Sequence, residues 1–135
     1  MDALLLDTSY LLAVQLEDDQ QHAVAQAHWR RLITDVPPLV TTSMILGEVA
    51  TYLSSRHLHA TAVEVGEDLL SNPDIELVWV NEALLREGWT FFRRHSDKTY
   101  SLTDCVSFVL MKQRRITTAL TFDKHFAQAG FMMLP

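Results

Sequence analysis

The sequence predicts an α/β domain, with a central, mostly parallel sheet of about five strands covered by helices on both faces. Short apolar, β-rich runs alternate with segments of helical periodicity along the whole chain. The first such run, Leu4 to Leu6, is apolar at every position, as a strand buried on both faces requires. Two of the runs end on an acid, Asp7 and Asp123, and open sheets hold ligands just outside the carboxyl ends of their strands.

The elements follow in order. Ala3 to Leu6 is the first strand, and Thr8 to Leu16 a short helix. Glu17, Asp18 and Asp19 begin a polar loop and the acidic first turn of a second helix, running to about Thr34. Its apolar positions Ala25, Trp29, Leu32 and Ile33 recur at helical spacing. Pro37 and Pro38 mark a loop before the strand Leu39 to Thr41. Ser43 opens a helix to about Arg56, with Ile45, Leu46, Val49, Ala50 and Leu53 facing inward. Thr61 to Leu70 is helical, and Ala62, Gly66 and Leu69 give it a stripe suited to close packing. Asn72, Pro73 and Asp74 end it, and Ile75 to Val80 is the third strand. Glu82 to Arg94 is a helix with Leu85, Trp89 and Phe92 on one face, where burial in the core is the simplest fate of the two aromatics.

The strongest signal lies in Tyr100 to Phe126. Ser101 and Asp104 have the spacing of a capping box. An apolar helix candidate, Cys105 to Met111, is followed by Lys112, Arg114 and Arg115, then by the strand candidate Ile116 to Phe122. Lys124 to Ala129 makes a last short helix, Gly130 stops it, and Phe131 to Leu134 is a terminal strand. The crossovers between parallel strands are expected to be right-handed.

A length of 135 residues fits one domain, residues 1–135, large enough for a true core. No apolar run is long enough to cross a bilayer, and the first residues lack the basic start of a signal peptide, so a cytoplasmic protein is expected. The single cysteine, Cys105, excludes an internal disulfide and a cysteine zinc cage, and reads as a small buried apolar residue. A net charge of −6 gives no general attraction to nucleic acid. Any such attraction must come from local clusters: Arg30 with Arg31, Arg93 and Arg94 with Lys98, or Lys112 with Arg114 and Arg115. Each of these also suits the negative end of a helix dipole.

Taken singly, Asp7, Asp104 and Asp123 read as helix caps. Glu48 borders the apolar face of its helix, where an unpartnered carboxylate is costly. Taken together they say more. Asp7 and Asp123 end parallel strands, and Glu48 and Asp104 sit early in helices that leave the same edge of the sheet. Four carboxylates therefore converge on one rim with only Lys124 beside any of them. Such groups repel one another, and a divalent cation relieves the repulsion. Oxygen ligands select Mg²⁺ or Mn²⁺ over zinc. Thr8, Ser9, Thr103 and Thr121 accompany the acids, and Ser9 and Thr121 are the hydroxyls expected to orient them.

Leu4 to Asp7 with Ser9, Ser43 with Glu48, Ser101 to Phe108, and Leu120 to Phe126 together resemble the PIN-domain ribonucleases, and most of all the VapC-type toxins of type II toxin–antitoxin pairs. The likeness spans nearly the whole chain in order and spacing. Ser9 stands where the family frequently has asparagine, and its hydroxyl keeps a polar contact. The resemblance implies a three-layer α/β/α fold and a Mg²⁺-dependent endoribonuclease in which Mn²⁺ can substitute. It implies that Asp7 and Asp104 bind the metal directly, and that Glu48 and Asp123 do so directly or through water. It implies RNA as substrate, met by Arg93, Arg94, Lys98, Lys112, Arg114 and Arg115, a homodimer, and a small cognate antitoxin held in an apolar groove. Trp29, Trp89, Phe91 and Phe92 are candidates to line that groove. The alternatives are a housekeeping PIN nuclease and a nuclease-like binding module without activity. Haloacid-dehalogenase phosphatases need a second Asp where this chain has Ser9, and receiver domains need one where the third strand runs into Asn81.

Overall fold

The computed structural model describes residues 2–135. In chain order its elements are β1 (Leu4–Leu6), α1 (Thr8–Gln15), α2 (His22–Leu32), β2 (Leu39–Thr42), α3 (Ser43–Ser55) and α4 (His59–Ser71). They continue with β3 (Ile75–Val78), α5 (Glu82–Arg94), α6 (Leu102–Arg114), β4 (Thr118–Leu120), α7 (His125–Gln128) and β5 (Met132–Leu134). Every strand pairing is parallel, and the order is β3-β2-β1-β4-β5. The chain moves outward from β1 through β2 to β3, then returns to the far side of β1 as β4. Strand order thus reverses between β1 and β4, the place where a parallel sheet opens a crevice for ligands. The helices of the first two crossovers, α1 to α4, pack among themselves, as do α5 and α6 of the return with α7 of the last crossover. One group covers each face, which gives the three expected layers.

β1 and β2 lie in the inner part of the sheet and are buried almost throughout, which explains the unbroken apolar sequence of β1. In β2 the buried threonines are satisfied locally, Thr41 Oγ1 donating to Leu6 O at 3.0 Å and Thr42 Oγ1 accepting from the Ile45 N–H at 3.1 Å. α6 is the most buried helix. Cys105, Val106, Phe108 and Met111 have no exposed surface, because the sheet lies on one side of the helix and α5 on the other. Phe108 is ringed by Phe91, Tyr100, Phe126 and Phe131. Burying one such side chain is worth about 1.5–3 kcal/mol.

Several elements differ from the sequence expectation for local reasons. α2 starts at His22, and Glu17 and Asp18 lie in the turns before it, where Asp19 accepts a bond from the Gln21 N–H at 2.8 Å. β3 ends at Val78 because the Val80 N–H donates to Ser43 Oγ at 2.9 Å, which leaves Trp79 exposed. β4 ends at Leu120 because the next residues turn their N–H groups to hydroxyls in the site described below. On α4 the buried stripe is Ala62, Val65 and Leu69, while Gly66 lies against Leu46.

The largest correction concerns α5. Leu85, Trp89 and Phe92 face solvent, and the rings of Trp89 and Phe92 stack on each other 5.5 Å apart. Leu84 and Gly88 face the core instead. Gly88 decides this, since a Cβ there would stand 2.5 Å from Val106 Cγ2 and 3.2 Å from Val106 Cα. Only a bare backbone lets α5 approach α6 so closely, and that approach outweighs burial of the aromatic stripe. Gly88→Ala is expected to lower stability by about 1–3 kcal/mol through overpacking, measured by urea unfolding, and Val106→Ala in the same chain should restore much of the loss.

Candidate functional site

The crevice between β1 and β4 is built from the two strand ends. Asp7 continues β1, and its N–H donates to Leu120 O at 3.1 Å. It also caps α1, so its backbone is extended and its carboxylate turns back over the helix start. The carboxylate is buried, and its contacts fall on one oxygen. Oδ2 accepts from Ser9 Oγ and Thr121 Oγ1, both at 2.8 Å, and from the Ser9 N–H at 3.4 Å. Both hydroxyls accept in turn: Ser9 Oγ from the Phe122 N–H at 2.9 Å, and Thr121 Oγ1 from the Asp123 N–H at 3.0 Å. This clasp fixes the hydroxyl protons on Asp7, ties the end of β1 to the loop after β4, and leaves Asp7 Oδ1 out of these bonds.

Asp104 stands at the start of α6. Ser101 and Asp104 form the capping box, with the Ser101 N–H on Asp104 Oδ2 at 3.1 Å and the Asp104 N–H on Ser101 Oγ at 3.0 Å. The cap again uses Oδ2 and leaves Oδ1, so capping and ligand binding do not compete for the same oxygen. Asp123 lies just before α7, and its Oδ1 accepts the His125 N–H at 2.9 Å.

Sequence reasoning missed His125. Its Nδ1 lies 3.2 Å from Asp123 Oδ1 and 3.4 Å from Asp104 Oδ2, yet it is buried and makes no hydrogen bond among the described residues. Its Nε2 meets Thr99 Oγ1 at 2.9 Å. One ligand atom each from Asp104, Asp123 and His125 fall within 4.8 Å of one another. The available signal was the Asp-x-His spacing at a helix start.

Glu48 is placed differently from its sequence reading. It is exposed on α3 rather than set against the apolar face, and its Oε1 accepts from Thr8 Oγ1 at 2.8 Å. Thr8 follows Asp7, so Glu48 reaches the same rim at its outer edge. Thr103 is buried one residue before Asp104.

Burial pushes the Asp7 carboxyl up to about 6; the charge of Asp104 adds to the rise, while the Thr121 and Ser9 hydroxyls oppose it. Asp104 is also raised, first by burial, with the charge of Asp123 contributing and its bonds to Ser101 opposing. Among the described residues, no lysine or arginine makes an ion pair with Asp7, Glu48, Asp104 or Asp123. Buried, mutually repelling carboxylates, each of the two deepest with one oxygen left by its cap, and an orphaned imidazole nitrogen form a donor set that fits a divalent cation.

The six candidate RNA-binding cations are divided by the fold. Arg114 grips Glu76 with two bonds, at 2.8 and 2.7 Å, beside the amino ends of the strands. Arg115 closes α6 at that same end, so both are a helix length from the acids. Arg93 and Arg94 are exposed in the last turn of α5, Lys98 follows in the next loop, and Lys112 Nζ lies 5.5 Å from the Phe91 ring centre. Trp29 and Phe91 are half-buried, in contrast to the exposed Trp89 and Phe92.

A model of the PIN domain matches residues 4–132. The 23S rRNA-specific endonuclease VapC20 of Mycobacterium tuberculosis, found under two strains, is 33% identical over 130 residues, which is 96% of this chain and 95% of that protein. The crystal structure of M. tuberculosis VapC20, described as a sarcin–ricin loop cleaving toxin, superposes with a TM-score of 0.84 at 32% identity, covering 96% of each chain. FitAcB from Neisseria gonorrhoeae superposes at 0.66 with 16% identity, over 98% of this chain and 96% of that one, and shares the fold.

The raised Asp7 carboxyl has a stability consequence. In the unfolded chain it ionises near its ordinary value of 3.8, and in the folded chain at about 6. Between those values the folded state holds a proton the unfolded state has lost, so metal-free stability falls as pH rises through that window. The loss approaches about 3 kcal/mol for this group. Asp7→Asn abolishes it: in EDTA the variant should melt well above the parent at about pH 8, with the gap opening between about pH 4 and 6. A parent that gains stability over that window would contradict this.

Proposed function

The chain belongs to the PIN-domain family, and on that premise we propose that it is a Mg²⁺-dependent endoribonuclease and the toxin of a type II toxin–antitoxin pair. The observation that carries the reading is the grouping of Asp104, Asp123 and His125, with Asp7 near enough for the charge of Asp104 to raise it, at the point where strand order reverses, in a chain alike over 96% of its length to a ribonuclease toxin. That relative acts on 23S rRNA, which makes ribosomal RNA the first substrate to offer this chain.

Asp7 and Asp104 would hold the cation directly, and Glu48 and Asp123 directly or through water. When bound, the cation offsets the negative charge of the carboxylates and of the phosphate and polarises the phosphorus–oxygen bonds. Mg²⁺ suits the oxygen donors, and the nitrogen of His125 is compatible with Mn²⁺ as a substitute. Ser9 and Thr121 hold the Asp7 carboxylate in one orientation, so no rotation is needed when substrate arrives. Glu48, exposed at the outer edge and held on one oxygen by Thr8, has its Oε2 available to take the proton of an attacking water. The water oxygen bonds to phosphorus as the bond from phosphorus to the leaving oxygen breaks, and the leaving oxygen takes a proton from solvent.

An antitoxin and a second copy of the chain are the protein partners, and the exposed Trp89–Phe92 stack offers one of them an aromatic anchor. No helix among the described residues is long and apolar enough to cross a membrane. On this reading the RNA substrate puts the protein in the cytoplasm.

Labelled ribosomal RNA fragments incubated with Mg²⁺ should be cut at discrete positions, and EDTA should stop the cutting. Asp104→Asn keeps the cap on α6 and is expected to reduce cleavage at least about 100-fold with a melting temperature no lower than the parent's; a variant that cuts at the parent rate would remove Asp104 from the mechanism. Expressed alone in a bacterium, the chain should arrest growth, and co-expression of its cognate antitoxin should restore it. Unaffected growth with an enzyme active in vitro would favour a housekeeping nuclease.

A further inference from the structure

Away from the acids, an open groove of about 750 Å³ runs between α5 and α6 and is closed at one end by α7. Its charge is unlike that of the protein. The chain carries a net −6 with 11 lysines and arginines, yet four of these, Arg86, Arg94, Lys98 and Lys112, line this one groove. The only carboxylate in the lining, Glu87, is engaged by Gln113 Nε2 at 2.7 Å. The cations themselves are weakly held. Arg86 pairs with Glu82 on fully solvated surface, Lys98 stands 3.6 Å from Asp97, and Arg94 has no carboxylate partner among the described residues. Such exposed pairs give way readily to a polyanion.

The groove also leads to the acids. A series of rings joins them: His125 to Tyr100 at 5.4 Å, Tyr100 to His95 at 5.9 Å, and His95 stacked on Phe91 at 4.0 Å, with Lys112 over Phe91. Thr99, between Lys98 and Tyr100, bonds His125 directly. One end of the positive groove is therefore a single side chain from Asp104 and Asp123.

Resting on the ribonuclease reading above, we propose that this groove is the track for the RNA strand on one side of the scissile phosphate, with Arg94, Lys98 and Lys112 binding its successive phosphates and Arg86 the farthest. The cations are strung along three elements rather than pointed at one centre, which suits a chain of phosphates better than a single anion. The consequence for substrate is directional. RNA must extend past the cut on the groove side, and an RNA ending at the cut on that side loses the contacts.

The test measures binding of a labelled RNA to Asp104→Asn protein in Mg²⁺ as salt is raised. Each phosphate contact on a single strand contributes about 0.7 to the log–log salt slope. Arg94→Gln with Lys98→Gln is expected to lower the slope by about 1.4 and to weaken binding at least about 10-fold. In the otherwise native chain the same pair should raise KM and leave kcat within about twofold. Arg114→Gln with Arg115→Asn removes the same charge at the far end of α6, with asparagine tolerated at the positive φ of Arg115, and should leave the slope unchanged. Equal losses in both double variants, or an unchanged slope in the first, would overturn the groove. Cleavage by the Arg94–Lys98 variant at the native KM would also overturn it while leaving the ribonuclease reading intact. RNA binding with the expected slope change but no cleavage would overturn the ribonuclease reading alone.

Discussion

Placing the Asp7 carboxylate out of water at the end of a central strand is unfavourable unless its charge finds partners. The structure supplies two kinds. Ser9 and Thr121 donate to one oxygen and are themselves fixed by the N–H groups of Phe122 and Asp123. Those bonds lower the cost without cancelling it, since the carboxyl still sits at about 6. The remainder is what a cation can recover on binding, so affinity for metal is built into the strain of the metal-free fold. The clasp also sets the shape of the loop after β4, which places Asp123 and starts α7 with His125. Without it, three of the site's groups would lose their common frame.

α6 serves the core and the site at once. Its middle is locked by Phe108 and its aromatic neighbours, and its first turn carries Asp104 in the capping box. A carboxylate mounted on the most buried helix does not drift when α5 or the rim loops move. The same helix divides its cations. Lys112 and Arg114 are about 200° apart around its axis, so Lys112 faces the α5 side and its groove while Arg114 turns to Glu76.

That division shows why some features were legible in the sequence and others were not. Strand–helix alternation, the unbroken apolar β1 and the acids at strand ends are local patterns, and each yields its element directly. The capping box at Ser101 and Asp104 is likewise local, and so is the buried Cys105. The orientation of α5 is not. Two stripes at helical spacing compete there, one through Leu85, Trp89 and Phe92 and one through Leu84, Gly88 and Phe91. Apolar mass favours the first, and only the close approach of Val106 on α6 to Gly88 selects the second. His125 was hidden for the same reason, because its neighbours Asp104 and Thr99 come from other segments. Glu48 was read against its own helix, whereas the group that turns it outward is Thr8 on another.

The bonds from Thr121 Oγ1 to Asp7 and from the Phe122 N–H to Ser9 span 114 and 113 positions of sequence. Nothing nearer in the chain can stand in for them. A ribosome making this polypeptide has therefore completed most of it before the first acid meets the others, and every earlier fragment lacks the cleft. The carboxylates of this PIN-family chain are thus held apart until its last residues are in place.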